Sequence, residues 1–147
     1  MRYLMLGGEF YRRCFVSSGA EVALSERSTE TTGILNDPES ETTPIFDELR
    51  GKLAQLQKVL YAQGKHKILI VIQAMDTGGK DGCVRKVFSR VDPQGIKVTS
   101  YKGPSEKELA HDFLWRIHQN VPARGEIAIF NRSHYEDIVA VRVKGLA

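Results

Sequence analysis

The chain has 147 residues, 41% of them apolar and 27% charged, which fits one soluble globular domain and excludes a disordered or collagen-like chain. No apolar run approaches the ~20 residues that a helix needs to span a bilayer, so no membrane partner is expected. The net charge of +3 is unevenly spread: residues 1–43 carry four Arg and seven acids, whereas residues 44–147 carry seventeen Lys or Arg and eleven acids.

Residues 1–43 read as an acidic leader and linker with poor order. MRYLMLGGEFYRRCFV begins apolar, but Glu9, Arg12 and Arg13 interrupt it in the wrong order for a secretory signal. Residues 25–43 are rich in Ser, Thr, Glu, Asn, Asp and Pro and have no apolar period. Thr43 can then cap a helix whose first residue is Pro44, where a missing N–H is harmless. Phe46, Leu49, Leu53, Leu56 and Leu60 recur at spacings of three and four, predicting one core-facing stripe that Gly64 ends.

Residues 68–72 are an unbroken apolar, β-branched run, as expected of a strand covered by helices on both faces. A helix over 80–90 is predicted next, with Val84, Val87, Phe88 and Val91 inward. Asp92-Pro93-Gln94-Gly95 is a turn, and residues 96–101 alternate like a second strand. Ser105 and Glu108 have the spacing of a capping box, opening one helix that carries Leu109, Phe113, Leu114 and Ile117. Residues 126–130 form a third strand. Helix, strand, helix, strand, helix, strand implies an α/β fold with a largely parallel sheet and right-handed crossovers.

Chemistry concentrates where the first strand stops. In Ala74-Met75-Asp76-Thr77-Gly78-Gly79-Lys80-Asp81-Gly82, glycines let backbone N–H groups converge on an anion, and the following helix adds its positive end. Residues 77–82, that is Thr77, Gly78, Gly79, Lys80, Asp81 and Gly82, are the expected phosphate cradle, with Lys80 as a mobile charge for β- and γ-type phosphates. The spacing is that of a P-loop, but Ala74 replaces the first Gly and Asp81 replaces the Ser or Thr that usually holds magnesium. Asp76 beside such a cradle is unfavourable unless it binds a metal, takes a proton or is neutralised by Lys80.

A second constellation follows the third strand. Ligands of open α/β sheets collect beyond the carboxyl ends of strands. There Arg132 offers planar phosphate contacts, Asn131 suits a metal-bound water, and Glu136 and Asp137 suit base, metal or nucleotide roles. His134 reads as a structural hydrogen-bonding residue, as does His111; Trp115 reads as core.

QAMDTGGKDG, VFSRVDPQGIKVTSYKGPSEKELAHDFLWRIHQ and GEIAIFNRSHYEDIVAVRV together resemble the polyphosphate kinase 2 family over roughly residues 44–147. The resemblance implies a P-loop kinase fold that moves phosphoryl groups between inorganic polyphosphate and nucleotides with Mg2+. MDTGGKDG and FNRSHYED look like the branch that phosphorylates AMP as well as ADP. By resemblance Asp76, Lys80 and Arg132 map to catalytic positions, with Asp76 the metal residue; Asn131 departs from the Asp of many relatives but suits this branch. Arg85, Lys86, Lys102 and Arg116 are candidates for holding the polymer. Asn131, Tyr135, Glu136 and Asp137 are candidates for positioning nucleotide or metal.

The implied partners are inorganic polyphosphate and AMP, ADP or ATP, in a homo-oligomer. Nucleic acid is not expected, because no aromatic stacking platform or recognition motif accompanies the charge. Two cysteines, Cys14 and Cys83, are too few for a disulfide scaffold and match no zinc spacing, which makes the cytoplasm the expected compartment. Chains of the family continue past the equivalent of Ala147 into a helical lid and further sheet. The resemblance therefore implies an amino-terminal part, a truncated product or fragment, with an uncovered apolar face around residues 138–143, self-association and little turnover. The alternative is a non-catalytic phosphate-binding or assembly module.

Overall fold

The computed structural model describes residues 16–26, 38–74 and 77–136. The chain divides into two units, Met1–Pro44 and Ile45–Ala147. In the first, a turn is closed by the Ala20 N–H donating to the Ser17 carbonyl at 3.1 Å, and a single 3-10 turn spans Leu24–Glu26.

Helix α1 (Pro38–Gln63) begins before the expected cap at Thr43 and keeps Pro44 inside it. The sequence offers two starting signals. Pro38 also suits a first helical position. The earlier signal prevails, at the cost of the hydrogen bond that Pro44 cannot donate. The inward face of α1 is also displaced from the leucine stripe: Leu49 is 49% exposed and Leu56 67%, whereas Gln57 is buried. Phe46, Arg50, Leu53, Gln57 and Leu60 form the less accessible face. Arg50 belongs there because its guanidinium donates to the Lys86 carbonyl at 3.3 Å and to Ser89 Oγ at 2.9 Å.

Strands β1 (Ile68–Ile72), β2 (Ile96–Ser100) and β3 (Ile127–Asn131) make a parallel sheet of order β1-β3-β2. Ile68 pairs with Ile127, which pairs with Ile96. Every residue of the central β3 is buried. Its ladder with β1 starts where Gly125, at φ +88°, donates its N–H to the His66 carbonyl at 2.7 Å. The expectation that helices cover both faces fails at β1 among the described residues, since Ile68, Leu69 and Val71 are each more than two-fifths exposed. The core lies instead between β3 and the segment after β2: Tyr101, Ile117, Ala128 and Phe130 cluster, with Leu114 packed against them. The Tyr101 and Phe130 rings meet edge to face at 5.1 Å.

Helix α2 (Lys80–Val87) stops one turn short of its expected end, and a 3-10 turn at Pro93–Gly95 leads into β2. The helix expected from Ser105 is two short ones, α3 (Glu106–Leu109) and α4 (Trp115–His118). The capping box forms, with Glu108 accepting from the Ser105 N–H at 2.7 Å. Asp112 then divides the helix by accepting the Leu114 N–H at 2.9 Å, a local bond that competes with the helical ladder. Leu109 and Phe113 are consequently exposed, while Ile117 reaches the core. The reading of an apolar face around 138–143 lies outside the described residues.

Candidate active site

Because the three strands run parallel and in register, Ile72, Asn131 and Ser100 finish side by side, and the loops that follow share one edge. A cleft of about 790 Å³ opens there. Its floor is residues 77–82, one wall is residues 100–103, and Arg85, Asn131 and Arg132 complete the lining.

Gly79 is the N-cap of α2 at φ +78°, a conformation that glycine adopts without strain, and its carbonyl starts the helix by accepting the Cys83 N–H at 2.8 Å. Thr77 adopts φ +65°, which is uncommon for a residue with a Cβ. Lys80 is buried at 8% exposure and its Nζ donates to the Ala74 carbonyl at 2.8 Å, folding the side chain back along the loop. The peptide at the first P-loop position thus receives the ammonium although that residue is alanine.

Asp81 and Asn131 come together across the cleft. Asn131 is buried, its Nδ2 donates to Asp81 Oδ1 at 2.5 Å, and its Oδ1 has no hydrogen-bond partner. The next residue, Arg132, turns through φ +68° and anchors its N–H on the Ile72 carbonyl at 2.9 Å, tying the exit of β3 to that of β1. The Arg132 guanidinium lies 3.7 Å from Glu136 Oε2, and Glu136 Oε1 accepts from Gln73 Nε2 at 2.6 Å. Glu136 therefore joins the loops after β1 and β3 behind the cleft instead of lining it.

The remaining expected residues divide cleanly. Arg85 and Lys102 line the cleft. Lys86 is exposed at the far end of α2 and is absent from the lining. Arg116 is 6% exposed and also absent from the lining; its Nη1 donates to the Lys102 carbonyl at 2.9 Å. Tyr135 is half exposed, stacked on the His134 ring at 4.4 Å, and outside the lining. Asp76 and Asp137 lie outside the described residues. Sequence reasoning overlooked Ser100, Tyr101 and Gly103 in the wall, although their place at the exit of β2 was a usable signal. It also overlooked Gln73, whose role depends on a partner 63 positions away.

Four basic side chains, Lys80, Arg85, Lys102 and Arg132, face this cleft against one described carboxylate, Asp81. Burial pushes the Tyr101 phenol above its ordinary value. The arrangement suits a ligand with several negative charges in a row.

The family profile of polyphosphate kinase 2 (PPK2) matches residues 37–147. The chain belongs to the polyphosphate kinase 2 family. It is 59% identical over 98 residues to an AMP/ADP-polyphosphate phosphotransferase of Meiothermus ruber, a match covering 67% of this chain and 37% of that one. It is 44% identical over 132 residues to an ADP-polyphosphate phosphotransferase of Rhodopseudomonas palustris, covering 87% and 44%. The crystal structure of polyphosphate kinase 2 from Arthrobacter aurescens TC1 superposes with a TM-score of 0.80 at 39% identity, over 90% of this chain and 47% of that one. The chain thus spans less than half the length of these polyphosphate kinase 2 relatives. Among the described residues no helix is long and apolar enough to cross a membrane.

Proposed function

We propose that the cleft binds inorganic polyphosphate and transfers its terminal phosphoryl group to AMP or ADP. The observation that carries this reading is the convergence of a glycine-built helix N-terminus with Lys80, Arg85, Lys102 and Arg132 at one sheet edge, in a polyphosphate kinase 2 chain. The name of the Meiothermus ruber relative, which includes both AMP and ADP, supports the choice of acceptors.

Donor and acceptor are both polyanions and repel each other, so the first task is neutralisation. Lys80 exchanges the Ala74 carbonyl for a phosphate oxygen, and the backbone N–H groups of the cradle hold the same group. Arg132, oriented by Glu136, contacts the transferring phosphoryl, while Arg85 and Lys102 hold neighbouring units of the polymer. A terminal phosphate oxygen of the nucleotide attacks in line, the P–O bond to the polymer breaks, and the polymer leaves one unit shorter. Asp81 and the unpartnered Oδ1 of Asn131 are adjacent hard oxygens, a donor set that fits Mg2+. Bound there, Mg2+ would neutralise charge on the phosphates. Asp76 joins this set as a catalytic and metal residue on the resemblance alone.

The test is nucleotide formation from polyphosphate with AMP or ADP and magnesium. Product is expected and should fall by ~100-fold or to background in Lys80→Ala and in Arg132→Ala. Product made at an unchanged rate by Lys80→Ala would overturn the reading. Polyphosphate binding without any product would support the non-catalytic module instead.

A further inference from the structure

Two charged side chains are buried among the described residues, Lys80 and Arg116. Lys80 belongs to the cradle, whereas the transfer chemistry makes no use of Arg116. A guanidinium is costly to bury, and its surroundings show what it holds. Nη1 donates to the Lys102 carbonyl at 2.9 Å and lies 3.7 Å from Glu108 Oε2. The guanidinium stacks 5.3 Å from the Tyr101 ring centre. The Arg116 carbonyl in turn accepts from Asn120 Nδ2 at 2.8 Å and from the Tyr101 hydroxyl at 3.5 Å.

These contacts fix Tyr101 and Lys102, fix the helix that carries Arg116, and tie that helix to Glu108 of α3. Residues 101–103 are a wall of the cleft. Glu108 is itself held by the Ser105 N–H and hydroxyl, at 2.7 and 2.9 Å, so the wall is tied through Arg116 to the start of α3. We propose that Arg116 is a positioning residue for the phosphate chain: it fixes the exit of β2 so that Lys102 meets the anion, and it does not touch the anion itself. This rests on the reading of the cleft as a polyphosphate site.

The distinction between acting through Lys102 and touching the ligand is measurable as coupling. Tripolyphosphate would be titrated calorimetrically into the wild-type chain, Lys102→Ala, Arg116→Gln and the double variant, with thermal unfolding recorded for each. Each single substitution should weaken binding about tenfold, and the double variant should bind within about twofold of Lys102→Ala. Should Arg116→Gln fail to fold, Glu108→Gln carries the same test, with a smaller loss that also vanishes in the Lys102→Ala background. Multiplicative losses would mean that Arg116 contacts the anion and would overturn the proposal. A lowered melting temperature with unchanged affinity would mean a purely structural role and would overturn it too. No binding by the wild-type chain would overturn the cleft reading and this inference with it, whereas binding with multiplicative losses would overturn the inference alone.

Discussion

At Gly125 the backbone turns through φ +88° two residues before β3, and a Cβ placed there would lie 3.1 Å from the Tyr61 carbonyl oxygen. An L side chain in that conformation costs roughly 1–2 kcal/mol before any crowding is counted. Gly125→Ala should therefore lower the unfolding free energy by about 1–3 kcal/mol, read from the urea midpoint at unchanged slope. An unchanged midpoint would show that the turn relaxes freely. Gly79, Lys80 and Arg132 were readable at the sheet edge from sequence, the first two because a strand, a glycine turn and a helix start are consecutive in the chain, and Arg132 because it directly follows the third strand. Arg116 and Glu136 were not. Both were candidates for ligand contact, whereas Arg116 is buried among Tyr101, Lys102 and Glu108, and Glu136 accepts a bond from Gln73. Such assignments depend on neighbours far away in sequence.

Among the elements, the capping box of α3 carries a titration. Acceptance of the Ser105 backbone N–H, and then of its hydroxyl, holds the Glu108 carboxyl below the ordinary glutamate range. The unfolded chain consequently takes up this proton first as pH falls. The stability contributed is complete above the ordinary glutamate range and is lost as pH drops through the lower folded value. The gap in unfolding free energy between wild type and Glu108→Gln should be widest at neutral pH and shrink in acid; a gap independent of pH would contradict this. The docking of α1 offers a second test. A Cβ on Gly95 would meet the buried Gln57 amide at 1.9 Å and Tyr61 at 3.2 Å. Gly95→Ala should cost about 1–3 kcal/mol, because an already filled interface must open. A neutral effect would show that Gln57 swings clear. The types of the strands and of the helices between them were legible, but ends were not: Pro38 outcompeted Thr43 and Pro44, and Asp112 cut one apolar-periodic stretch into two helices.

Across the molecule, three parallel strands bring separate sequence segments to one edge, where Lys80, Arg85, Lys102 and Arg132 line one cleft. The unalternating β1 run signalled burial on both faces, yet Ile68, Leu69 and Val71 are accessible among the described residues. Composition encodes the environment a strand suits, not which segment provides it. The central claim is that Lys80 and its cradle bind condensed phosphate. Calorimetric titration of long-chain polyphosphate into the wild-type chain and Lys80→Ala tests it most directly. Saturable binding by the wild type is expected, weakened at least about tenfold in Lys80→Ala with the unfolding midpoint preserved. Equal affinity in the two proteins would contradict it.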